Sequence, residues 1–308
     1  GPVFAPGGST SGAGAPNKAG AGTLVLTADN VHAGGTTIAG GTLQLGNGGN
    51  GGWIVGGVAN NGELAFDRSD DRTFTGLVSG TGGLVQNGPG VLTLTGANTY
   101  AGATALNAGT LLVNGNQSAA SGLTTVNAGA TLGGSGVTGG DVVVANGGTL
   151  APGNSAGSSA GTLTIAGDLS LSNSSVLGFE FGAANVAGGP LNDLIDVGGN
   201  LVLDGTINVS VPAGGSFGGG IYRVFNFGGA LTDNGLNLGT MPAGASVTVQ
   251  TSVAGQLNLV NATGLELSFW DGAAGPKLNG TVDGGAGVWH LGGSDNNWTD
   301  ADGAINAS

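Results

Sequence analysis

The 308-residue chain has no cysteine, so disulfides and thiolate chemistry are excluded outright. Basic residues number 5 against 18 acids, a formal net charge of −13. Binding a phosphate backbone needs clustered lysine and arginine to displace counterions, and this balance argues against a nucleic-acid partner. No basic amphipathic stretch is present to lie on an anionic membrane, and no run of 18 apolar residues could cross one as a helix. Only 7% of residues are charged, and the histidines are two, His32 and His290. General acid–base chemistry has few candidates in such a chain. Disordered chains usually rely on charge for solubility, so the shortage of charge also argues against disorder.

What is present is glycine, 70 residues of it, and 39% hydrophobic residues that alternate with Thr, Ser and Asn. The stretch Gly88–Gly115 holds three short runs, Val91–Thr95, Thr104–Leu106 and Thr110–Val113, separated by turn formers. The same pattern stands from Gly20 to Gly48 at a constant offset and without a gap. Leu24 answers Leu92, Asn30 answers Asn98, Thr36 answers Thr104, and His32 takes the place of Tyr100. An ungapped internal repeat of this kind is the strongest signal in the sequence.

A shorter unit, glycine followed by alternating hydrophobics, begins at Gly22, Gly41, Gly62, Gly83, Gly109, Gly129 and Gly148. Its period of about 20 residues predicts the coil of a parallel β-helix, three strands and their turns. The one interval of 26 predicts a longer loop, around Asn87-Gly88-Pro89 or from Gly96 to Thr99. At that period about 13 coils would stack over about 60 Å. Glycine and asparagine are expected in left-handed backbone at the corners.

The string GxLTLTGANTYxGxTxLNAGTLxV resembles the passenger-associated transport repeat of bacterial autotransporters, in two copies. The resemblance implies an all-β, right-handed parallel β-helix, a solenoid of about 20 residues per coil. It implies export across the outer membrane, with a secretion signal before such a segment and a translocating C-terminal barrel after it. Residues 1–2 are expected to be a cloning remnant, so the chain is expected to be part of something longer. Four regions are expected: irregular residues 1–19, regular β-helix 20–191, a later helix with longer strands or a cap over 192–262, and a partial tryptophan-containing unit over 263–308.

Candidate chemistry is thin. Gly153-Asn154-Ser155-Ala156-Gly157 matches a nucleophile elbow, but 70 glycines make such a match expected by chance, and no helix follows it. Gly46-x-Gly48-x-x-Gly51 and Gly134-x-Gly136-x-x-Gly139 match a dinucleotide pattern without the surrounding βαβ unit. His32 is expected to be a half-exposed strand or turn residue, and His290 has no evident partner. Asp300-Ala301-Asp302-Gly303 lacks the first aspartate and the final glutamate of a calcium loop. Asp67–Arg72 is the one dense charge cluster and reads as a solvated turn with internal ion pairs.

No catalytic, cofactor-binding or metal-binding residue is therefore assigned. The residues and the resemblance together predict a non-enzymatic, surface-exposed or secreted stalk or adhesin. Its expected contacts are a second copy, as in aggregation or biofilm, or a host surface or glycan. A secretion and folding spacer, or the scaffold of an enzyme passenger with its active site elsewhere, are the alternatives.

Overall fold

The computed structural model describes residues 11–154 and 159–264, with three short strands beyond them. The chain divides into two compact units, Gly1–Asn261 and Ala262–Ser308. In the second unit, Phe269–Trp270, Trp298–Thr299 and Asn306–Ala307 pair antiparallel. Every regular element among the described residues is a strand.

The first unit is a solenoid of parallel sheets. A ten-stranded sheet runs from Thr23–Leu26 to Leu231–Asp233, and an eight-stranded one from Arg72–Phe74 to Asn237–Leu238. A four-stranded and a seven-stranded sheet, with a two-stranded pair at the start, take the remaining strands. Each strand pairs with strands about one coil away in sequence, so the backbone of one coil is satisfied by its neighbours. Among the described strands of the unit, only Gln256–Asn261 runs against its neighbours. Gln256–Asn261 pairs antiparallel with both Gly220–Phe227 and Val247–Gln250.

Partners in the ten-stranded sheet give the coil lengths directly. Leu24, Leu43, Leu64, Leu84, Thr104, Thr124 and Val142 are successive partners, each step about 20 residues. Beyond Val142 the column runs to Leu169, Leu201 and Leu231, and the steps grow to about 30 residues. The uniform period, and the 13 coils built on it, need correcting: ten strands stack here, and the later coils are half as long again. No long loop lies between Asn87 and Thr99 either. The units beginning at Gly22, Gly41, Gly62 and Gly83 lie in the ten-stranded sheet, whereas those at Gly109, Gly129 and Gly148 lie in the eight-stranded one. The interval of 26 between Gly83 and Gly109 is a step from one face to the next.

The two repeat copies are likewise offset by a face. Thr23–Leu26 and Thr42–Gly49 of the first copy pair in the ten-stranded sheet, but Val91–Leu94 and Thr110–Val113 of the second pair in the eight-stranded one. The offset between the copies is more than three whole coils. One sequence pattern thus serves two faces, because each needs only an inward apolar row and a neighbouring coil.

Inward side chains stack in columns. Leu92, Leu111, Leu132, Leu150, Leu177 and Ile207 are in register and buried. Burying such a side chain contributes about 1.5–3 kcal/mol. At the corner column Gly62, Gly82, Gly102, Gly122 the backbone is not left-handed. A Cβ on Gly82, Gly102 or Gly122 would strike the backbone of the glycine one coil earlier. In this column glycine is required by close approach of stacked backbones, whereas at other turns, Gly41, Gly109 and Gly129 among them, it takes the left-handed backbone expected. Asparagine is not the corner residue expected, since Asn185 alone among the described non-glycine residues has a positive φ.

Candidate functional site

Three features of the first unit stand apart from plain stacking. The first is the outer surface of the two long sheets. On the ten-stranded sheet Val85, Ala105, Thr125, Val143, Ser170 and Val202 form one half-exposed row in register. On the eight-stranded sheet Val91, Thr110, Thr131, Thr149, Val176 and Thr206 form another. Neither row contains a charge, although the chain as a whole carries −13. Beside them Asn127 donates to Asn107 and Asn107 to Asn87, each at 2.8 Å, an exposed amide ladder with one rung per coil. Such rows offer repeated small hydroxyl, amide and apolar groups at the spacing of the coils.

The second feature is the charge cluster. Arg68 Nε and Nη2 donate to the two oxygens of Asp70 at 2.9 Å, and Arg72 Nε donates to Asp70 Oδ2 at 2.9 Å. Asp29 closes the group, 3.7 Å from Arg68 and 3.6 Å from Arg72. Both guanidinium groups lie over the Trp53 ring, at 5.7 and 5.8 Å, and Trp53 packs against Phe66 and Phe74. Hydrogen bonds from Arg68 hold the Asp70 carboxyl below its usual value. The internal ion pairs are as the sequence implies and Ser69 and Asp71 are exposed, but Arg68 is not solvated, being 3% exposed. The cluster is a knot joining three segments, and its charges are used internally.

The third feature arises where the coils lengthen. The added sequence falls around 153–161, 182–193 and 211–219. Asn192 Oδ1 accepts from the N–H groups of Gly182 and Ala183, and its amide donates to the carbonyls of Ala183 and Val186. Asp193 accepts from Gly161 N–H at 2.8 Å and from Glu180 N–H at 2.7 Å, which ties three segments together at one carboxyl. Burial first, and the neighbouring Glu180 carboxylate after it, raise the Asp193 carboxyl to about 7 against those two hydrogen bonds. A cavity of about 200 Å³ opens here, lined by Phe179, Glu180, Asp193 and Ser210 among others. Phe179, Phe181, Phe217, Tyr222 and Phe225 pack together in the same region.

The remaining sequence candidates separate. Gly46 and Gly48 lie in the strand Thr42–Gly49 and Gly134 ends the strand Thr131–Gly134, with no helix after either. Ser155 to Gly157, His290 and Asp300 to Gly303 lie outside the described residues. His32 is 3% exposed, not half-exposed, in the strand Val31–His32. Among the described residues no group of three or more His, Cys, Asp or Glu side chains could hold a metal ion. Glu180 and Asp193 carry no sequence signal, because they belong to different segments and nothing local marks either as buried.

A model of the passenger-associated transport repeat matches residues 17–45 and 84–113. These are the two copies expected from the sequence, each beginning a few positions earlier than expected there. The chain is also similar to the adhesin BmaC autotransporter of Brucella suis biovar 1 (strain 1330), 54% identical over 282 residues. That alignment covers 89% of this chain and 8% of the relative, so the chain spans under a tenth of the relative's length.

Proposed function

The chain is a stretch of autotransporter passenger carrying passenger-associated transport repeats, and on that premise we propose that it serves as a non-enzymatic adhesive stalk at the bacterial surface. The observation that carries this reading is the pair of uncharged rows, Val85 to Val202 and Val91 to Thr206, running unbroken along stacked coils. A single threonine contact is weak. Many similar contacts at fixed spacing on a stiff scaffold raise the effective concentration of each after the first. Stacking keeps the rows in line at little entropic cost, since outward side chains on a sheet are already ordered by their neighbours.

Charge placement fits the same role. Two of the five basic side chains, Arg68 and Arg72, are consumed in the Asp29–Asp70 knot, and Lys18 donates to the carbonyls of Ala19, Gly20 and Gly40. Steering of anionic partners is therefore unfavourable, and recognition falls to hydrogen bonding and shape. The relative's name, an adhesin, agrees with this reading. The reversed strand Gln256–Asn261 acts in this proposal as the element that ends the regular parallel ladder of the seven-stranded sheet.

Beads coated with the protein test the reading. They are expected to adhere to host cells or to each other in a dose-dependent manner that high salt leaves largely intact. Beads that behave as albumin-coated controls in both assays would remove the adhesive role.

A further inference from the structure

Two of the added segments, 153–161 and 182–193, meet at one carboxyl. Asp193 Oδ1 accepts the Gly161 N–H at 2.8 Å, and Oδ2 accepts the Glu180 N–H at 2.7 Å. The Asp193 N–H donates in turn to the Glu180 carbonyl at 2.8 Å. Asp193 is 1% and Glu180 3% exposed, and both line the cavity of about 200 Å³. The other residues around that cavity, from Pro152 and Phe179 to Asn208, Ser210 and Thr240, carry no ionisable group.

A buried charge is costly unless an opposite charge matches it, and two buried carboxylates side by side repel each other. Among the described residues, Glu180 is the one ionisable side chain that acts on the Asp193 charge, and it is of the same sign. The two N–H bonds favour ionised Asp193, but burial and the Glu180 charge outweigh them. Release of the carboxyl into water removes both penalties at once.

We propose that Asp193 is a proton-operated clasp, which holds Gly161 and Glu180 together while protonated and loosens them when it ionises beside Glu180. The cavity is held shut in acid, and its local opening becomes easier as pH rises. Asn192, whose four bonds involve no titrating group, holds residues 182–186 at every pH, so the opening is confined to the Asp193 contacts. The clasp does not depend on the adhesive reading and would persist if that reading failed.

Amide hydrogen exchange of the full chain between pH 5 and 8, corrected for base catalysis, tests this. An opened Asp193 ionises near its ordinary value of 3.8, and the closed one near 7. Protection of the Gly161 and Glu180 amides should therefore fall about tenfold per pH unit up to about pH 7 and level off above it. Both should exchange ahead of Thr131, which donates to Gly109 in the regular coils and should wait for global unfolding. Asp193→Asn should make the protection of both amides independent of pH. Glu180→Gln removes the like charge and should move the levelling-off below pH 7. Equal protection at Gly161, Glu180 and Thr131 would overturn the proposal, since global unfolding alone would then break these bonds. So would wild-type protection at Gly161 and Glu180 that does not change with pH. Should Asp193→Asn fail to fold, Glu180→Gln still decides, because a levelling-off that stays near pH 7 would also overturn the clasp.

Discussion

Tyr100 Oη and Thr104 Oγ1 stand 2.6 Å apart inside the second repeat copy, a bond with no counterpart in the first. Tyr100→Phe removes one partner and leaves the Thr104 hydroxyl buried and unpaired, which should cost about 1 kcal/mol. Tyr100→His also removes ring volume from a buried position, and its loss should be larger, about 2–3 kcal/mol. Urea unfolding of the two variants measures both. A Tyr100→Phe midpoint equal to the wild-type value would show that the hydroxyl pair contributes nothing.

Stability should depend on pH through Asp193. Its carboxyl is raised to about 7 in the fold, by burial first, from an ordinary value of 3.8. The folded state therefore holds a proton that the unfolded chain releases, and stability falls as pH rises from about 4 to about 7. Below that window the contribution is fully present. Asp193→Asn, which keeps the shape without the charge, should flatten the slope. Denaturant midpoints at pH 4.5, 6 and 7.5 read this out, and identical slopes for wild type and variant would contradict it.

Arg68 should be the most costly of the basic residues to remove. Arg68→Met takes the buried partner from Asp70 and Asp29, but both carboxylates keep access to solvent and keep Arg72, so the loss should be about 1 kcal/mol. The Asp70 carboxyl is held low by Arg68, so its share of stability is present above pH 3.8 and is lost as pH falls through its folded value. Trp53 emission, recorded with the unfolding curve, should change because its ring loses a guanidinium neighbour. A variant with wild-type stability would make the knot a surface ornament.

Close approach and not backbone freedom fixes the glycines of the column Gly62, Gly82, Gly102 and Gly122. Gly102→Ala pushes a Cβ into the Gly82 backbone and should prevent native stacking or lower the melting temperature steeply. Gly218→Ala, where nothing lies within 4 Å, should stay within about 0.5 kcal/mol of wild type. Equal effects at both positions would refute the distinction.

The repeats, the strands and the all-β class were legible because alternation and glycine spacing are local. Leu92, Leu94, Leu111 and Val113 announce their inward faces within their own short strands. The lengthening of the coils after Val142 was not legible. Positions 153–161, 182–193 and 211–219 are rich in glycine, serine and alanine with no period, and inserting them leaves the strand pattern unchanged. Arg68 looked solvated because Trp53, which covers it, comes from an earlier coil. His32 looked half-exposed because its sequence neighbours say nothing of Leu24 and Ile54 beside it. Asp193 and Glu180 belong to the same class, since the fold and not local sequence brings them together.

The most direct test of the adhesive account places charge in the uncharged row. Thr110→Lys with Thr149→Lys changes two half-exposed side chains on the eight-stranded sheet and removes no inward contact. With far-ultraviolet circular dichroism and melting unchanged, coated beads of this variant should lose most of their adhesion at low salt. Adhesion equal to the wild type, on a folded variant, would contradict the claim that these rows carry the function.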